Sequence, residues 1–123
     1  MVGAGDLVRQ LPETYEASTT PAERRVQFEL YKRFEAIDGF LHGDVLLSWA
    51  PMEDESGHVM LHAVFRDVGG SLNTITAALT AKGVDVKRVL AFCTPSGIAI
   101  DSFATRGSHS GRRPTTSAVP SPH

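Results

Sequence analysis

Five histidines and one cysteine are the side chains in this 123-residue chain best suited to holding a metal or forming a covalent intermediate, and their spacing argues against both. His58 and His62 fall in a run where Val59, Leu61, Ala63 and Phe65 alternate with other residues, the pattern of a strand. At a rise of about 3.3 Å per residue they stand roughly 13 Å apart, too far to share an ion that binds imidazole at about 2.1 Å. His42, His109 and His123 belong to a loop-like segment and to the tail, with no H-E-x-x-H spacing. Cys93 closes the half-buried stretch Ala91-Phe92-Cys93, where a free thiol behaves as a small apolar group. Asp101, between Ile100 and Phe103, reads as a partly exposed or cross-strand-paired carboxylate rather than an active-site acid. Arg88 interrupts an apolar strand and marks an edge, a bulge or an oligomer contact. No acid/base pair, triad or metal set stands at a useful spacing. The expectation is a chain with no catalytic or metal-ligating residues and no cofactor, hence not an enzyme.

One segment is better suited to binding. In Asp67-Val68-Gly69-Gly70-Ser71-Leu72, two glycines remove side-chain bulk just before a helix start, and the N–H groups of Gly70, Ser71 and Leu72 can receive a carboxylate. The plainer alternative is that the glycines serve a tight turn and Asp67 caps the helix. A phosphate cradle is a poorer fit, because the lysine and Ser/Thr of a P-loop are missing.

The elements that must position these residues follow from periodicity. Hydroxyl cap candidates at Ser18, Thr19 and Thr20, then Pro21 and Glu23, announce a helix over 21–38, stopped at Gly39. Its apolar stripe is Val26, Leu30, Phe34 and Ile37. Val45 to Trp49 reads as a short strand and Pro51 to Gly57 as an acidic turn. After the strand at 58–65 and the glycine turn comes a short helix marked by Leu72, Ile75 and Leu79, ending before Gly83. Val84–Cys93, the turn Thr94-Pro95-Ser96-Gly97 and Ile98–Ala104 form a hairpin. From residue 106 to 123 the composition turns to Ser, Thr, Pro, Gly, Arg and His, and a disordered tail is expected. The chain thus divides into an N-terminal extension (1–20), a helix with a short strand (21–57), a β-α-β-β core (58–105) and the tail (106–123). The fold class is α+β, an incomplete ferredoxin-like unit. Residues 21–49 offer one helix and one strand with which to complete it.

That core carries a family resemblance. The letters Asp67-Val68-Gly69-Gly70-Ser71-Leu72, Gly83-Val84-Asp85-Val86 and Ala91-Phe92-Cys93-Thr94-Pro95-Ser96-Gly97-Ile98-Ala99-Ile100-Asp101-Ser102-Phe103 resemble the ACT domain, most of all those preceding the kinase domain of plant and algal serine/threonine/tyrosine kinases. The usual Arg-Pro of the turn is replaced by Val68-Gly69, the Asn of the second-strand entry by Asp85, and the last helix and strand of the family are not legible after residue 105. Kinase signatures are absent from the sequence. The resemblance implies a regulatory module that senses a small molecule of amino-acid type and acts through oligomerisation, as a homo-oligomer or with a partner chain. It implies ligand contacts from Asp67, Gly69, Gly70, Ser71 and Leu72, with Asp85 taking an α-ammonium group. A pairing module without a ligand is the alternative.

Composition agrees with a globular chain: 41% hydrophobic, 21% charged, formal charge −2. That charge gives no reason to expect nucleic acid or an anionic membrane as partner. With one cysteine, no secretory h-region and no apolar run of about 20 residues, a cytoplasmic location is the expectation.

Overall fold

The computed structural model describes residues 3–52, 57–106 and 116–119. Its centre is an antiparallel sheet whose inner strands β2 and β4 are buried on both faces. The strands β1 (Val45–Pro51), β2 (Val59–Arg66), β3 (Asp85–Cys93), β4 (Ile98–Arg106) and β5 (Thr116–Val119) lie in the order β3-β4-β2-β1-β5. Because β4 is inserted between β2 and β3, the latter two run parallel and are joined by α5 (Ser71–Ala81), a crossover compatible with a ferredoxin-like unit. β1 pairs with the free side of β2, so the strand read at 45–49 does extend the sheet.

The helix at 21–38 does not join α5. Side chains alternate along each strand, so Leu61, Ala63, Phe65, Ala99 and Phe103 face α5, whereas Leu46, Val64, Ile98 and Ile100 face the opposite way. That second face is covered by α3 (Pro21–Ala36), which lays Leu30, Tyr31 and Phe34 upon it. α1 (Ala4–Gln10) and α2 (Glu13–Ser18) join the same layer through Leu7, Leu11 and Tyr15, all buried. Residues 3–20 are therefore part of the core and not an appendage. Two faces covered instead of one also explains why nearly every residue of β2 and β4 is buried, where alternation alone anticipates one wet face.

The start of α3 forms as its letters foretell: Thr20 accepts from the Glu23 N–H and Glu23 accepts from the Thr20 N–H, a reciprocal box with Pro21 at the first turn. The buried stripe is rotated from the expected one. Gln27, Leu30, Tyr31 and Phe34 are buried, Val26 is half-buried and Ile37 is 44% exposed. At the other end of the chain, β5 pairs with β1 from Val45↔Val119 to Ser48↔Thr116, within the segment read as a disordered tail. The remainder of that tail and most of the acidic turn after Pro51 lie outside the described residues.

α3 stops without a glycine at its cap. Ile37 ends it, Asp38 takes a left-handed φ of 54°, and Gly39 opens the one-turn helix α4 (Gly39–His42). Gly39 is there for space: an added Cβ would lie 2.5 Å from Cδ1 of Phe34, a side chain with no exposure. Gly39→Ala is expected to lower stability by about 1–3 kcal/mol, read from urea unfolding, because neither the ring nor the α3–α4 corner has room to give.

Candidate functional site

The sheet face beneath α3 is graded by its cross-strand rows. Leu46, Val64, Ile100 and Phe92 form an apolar row. Ser48, His62, Ser102 and Leu90 form the next, and Ala50, Met60, Ala104 and Arg88 the third. In the third row the small side chain of Ala50, facing Ala22 and Val26 of α3, leaves a cavity of about 410 Å³. Its other walls include Ser18, Thr20, Glu23, Met52, Met60, His62 and Arg88.

The middle row supplies the chemistry. His62, Ser102, Gln27 and Tyr15 are each at most 2% exposed and bonded in sequence. The Tyr15 hydroxyl, whose pKa is raised to about 12 by burial, donates to Oε1 of Gln27. This fixes the amide so that its Nε2 donates to Ser102 Oγ at 2.8 Å. The Ser102 hydroxyl and Nδ1 of His62 share a hydrogen bond at 2.7 Å. The Gln27 amide nitrogen lies 3.4 Å from the same ring nitrogen. His62 is held neutral, its pKa lowered to about 4 by desolvation. Its Nε2 is buried and has no hydrogen-bond partner among the described residues.

Arg88 reaches this face because of a backbone irregularity. Val86 pairs with Thr105 but Arg88 with Ala104, leaving Lys87 as an extra residue. This bulge turns Arg88 to the α3 side, where regular alternation would have put Lys87. Lys87 instead pairs with Asp85 at 2.7 Å. Among the described residues Arg88 has no carboxylate partner. Glu23, by contrast, is tied to the Thr20 N–H at the helix start.

The residues singled out in the sequence are divided by the fold. Asp67, Gly69, Gly70, Ser71 and Leu72 remain together as the β2–α5 turn. Gly70 needs its φ of 87°, and a Cβ at Gly69 or Gly70 would meet nothing within 4 Å, so the turn is open above. Asp67 and Leu72 help to wall a second, smaller cavity of about 150 Å³ with Ala91, Cys93, Ala99 and Asp101. Asp85 is not part of this group. It begins β3 beside Arg106, whereas Cys93, at the other end of β3, is level with the turn. Eight residues of strand, roughly 26 Å, separate the two, so one copy of the chain cannot clasp a ligand between them.

The smaller cavity is acidic. Asp101 is buried and its carboxyl is raised to about 7, first by desolvation and then by the charge of Asp67. Cys93 is exposed, and its thiol is raised by desolvation and by Asp67, which keeps it protonated and a poor nucleophile. Among the described residues no three His, Cys, Asp or Glu side chains assemble as a metal site, and no helix is long and apolar enough to cross a membrane.

Comparison with protein-family models, curated proteins and solved structures gives no match for this chain. The larger cavity therefore stands on its own residues. Sequence reasoning weighed His62 only as a metal ligand and passed over Gln27 and Ser102. The available signal was a glutamine three and four residues ahead of Leu30 and Tyr31 on a helix face expected to be apolar.

The two buried titrating groups oppose each other. His62 binds a proton more weakly folded (about 4) than at its ordinary 6.5, so stability falls as pH drops from about 6.5 towards 4. Asp101 binds its proton more tightly folded (about 7) than at its ordinary 3.8, so stability falls as pH rises from about 4 through 7. Asp101→Asn removes the second slope. Its unfolding free energy, from urea titrations between pH 4.5 and 6.5, is expected to climb relative to the parent by up to about 1.4 kcal/mol per pH unit. Parallel profiles would contradict the raised Asp101 carboxyl.

Proposed function

We propose that the chain is a non-catalytic sensing module, which binds a small molecule in the cavity between α2–α3 and the sheet and passes the event on by a change in stability or pairing. The observation that carries this reading is the space of about 410 Å³ that α3 leaves over the third cross-strand row, walled by Val26, Met52, Met60 and the cation Arg88. Its wall is mainly apolar with a few polar groups, as small-molecule sites are.

An ACT-like identity is part of the proposal. It is supported by the strand, glycine turn, helix, strand and hairpin order of residues 59–106 and by the letters in the turn and hairpin. The binding place differs from what that resemblance implies, since the cavity lies under the N-terminal helices and away from the β2–α5 turn. Pairing without a ligand is favoured by one feature, the nine-residue edge strand β3, which among the described residues bonds to β4 alone. Val89, 37% exposed, lies along it.

A thermal-shift screen against metabolites separates these readings. A ligand at about 100 times its dissociation constant adds roughly 2.7 kcal/mol, which for a domain of this size raises the unfolding midpoint by on the order of 10 °C. Light scattering on the same samples is expected to show whether pairing follows the ligand. A stable dimer with no response to any compound would favour the pairing reading and remove the sensing one.

A further inference from the structure

We propose that a second copy of this chain docks on the end of the sheet where α4 meets the β2–α5 turn, two copies pairing about a two-fold axis through an apolar patch of Ile37, Phe40, Leu41, Val68 and Leu72. This inference rests on the pairing part of the reading above, gives that pairing a surface, and places it away from the edge strand β3.

Of the six large apolar side chains exposed among the described residues, five gather at this end of the sheet, and only Val89 lies elsewhere. The register brings them together. Val45↔Phe65 sets the start of β1 beside the end of β2, so the residues that precede Val45 and those that follow Phe65 share one end. The contact is direct at Phe40, whose carbonyl accepts from Nη1 of Arg66 at 3.2 Å and whose ring centroid lies 5.4 Å from the guanidinium carbon. Gly97, in the β3–β4 turn, meets the same ring: a Cβ there would lie 3.6 Å from Phe40 Cε2. Its carbonyl accepts from the Asp67 N–H at 2.8 Å, and Val68 follows. The patch is held in place before any partner arrives, because the left-handed Asp38 turns the chain and Gly39 packs on Phe34. Little ordering is left to oppose docking. Leu41, 75% exposed, is its most prominent member.

Size and charge select the occupant. A standard interface takes about 800 Å² from each partner, a little over half of it apolar. Five partly exposed side chains of this kind supply a patch in the range of about 300–600 Å², which matches that apolar share. The rim supplies both signs. Arg66 is a cation, Asp38, Asp44 and Asp67 are carboxylates, and among the described residues no ion pair engages any of the four. In a two-fold interface each surface meets itself, so a rim of one sign repels its own copy, whereas this rim sets the arginine of one protomer against the acids of its partner. An anionic lipid surface is a poorer match to a rim with three carboxylates.

The test follows the full chain by sedimentation velocity and light scattering from about 1 μM to 1 mM. It compares the parent with Leu41→Glu and Val68→Glu in the patch and with Val89→Glu on the β3 edge. All three change exposed side chains, so the chain stays folded, and urea unfolding at the lowest concentration checks this. The parent is expected to dimerise, each patch variant to weaken the dimer ten-fold or more, and Val89→Glu to leave it unchanged. The unfolding midpoint of the parent is expected to rise with protein concentration and that of Leu41→Glu to stay level. A dimer lost in Val89→Glu and kept in both patch variants overturns the inference while leaving pairing in place through β3. A dimer indifferent to all three variants overturns it as well. A parent that is monomeric throughout removes pairing together with the inference, and co-sedimentation with phosphatidylserine vesicles that Leu41→Glu abolishes would then assign the patch to a lipid surface.

Discussion

Burial of the sheet on both faces is the constraint to which the rest of this molecule answers. A strand covered on one side can place its polar residues in water; β2 and β4 cannot, because α5 lies on one face and the N-terminal helices on the other. Each polar side chain in these strands must find a partner inside or carry the cost of going without one, about 1–3 kcal/mol for a buried group. His62 and Ser102 are neighbours across β2 and β4, and the partners they find are delivered by α2 and α3. The Tyr15–Gln27–Ser102–His62 chain thus fixes the helical layer to the sheet at a defined register. Apolar packing of Leu30, Tyr31 and Phe34 alone would specify that register less tightly.

The same constraint shapes the cavity. The apolar row at Leu46, Val64 and Ile100 is filled by large side chains from α3 and α1. One row beyond His62 the helix is in its first turn, with Ala22 facing Ala50, and there is too little side-chain volume to fill the gap. A void between layers follows from small residues on both sides, and its floor inherits the polar row beside it. The bulge in β3 then changes the charge at its rim by bringing in Arg88.

Local features of this fold were legible in the letters, and relations between layers were not. The Thr20–Glu23 box, the hairpin turn at 94–97 and the helix at 71–81 are each set by contacts within a few residues, so their sequence signals and their structures agree. The face on which α3 lies is a long-range matter, and a β-α-β-β pattern says nothing of a helix that precedes it. The short helices at 4–10 and 13–18, with Leu11 capping the first, set Leu7, Leu11 and Tyr15 at spacings too brief to declare a helical period, yet all three are in the core. β5 has a composition that forecasts no strand, and only its pairing with β1 defines it. The candidate site divides in the same way. The glycine turn is local and was readable, although Asp85 proves to lie at the far end of its strand. The His62 cluster joins residues 15, 27, 62 and 102, which no spacing rule connects.

That cluster also bears on what the fold is for. Position 62 faces the sheet–helix interface between Met60 and Val64, where an aliphatic side chain would leave no polar group to satisfy. Tyr15, Gln27 and Ser102 could then be apolar as well, and replacing a satisfied buried polar network by well-packed apolar residues is often neutral or stabilising. What the polar arrangement provides beyond stability is orientation: its hydrogen bonds hold Gln27 and Ser102 against His62, whose Nε2 has no partner among the described residues. The imidazole at its end stays neutral at neutral pH, because desolvation lowers its pKa to about 4. The unmatched nitrogen carries the cost of a buried polar group without a partner, about 1–3 kcal/mol, within the layer that Tyr15 and Gln27 hold to the sheet.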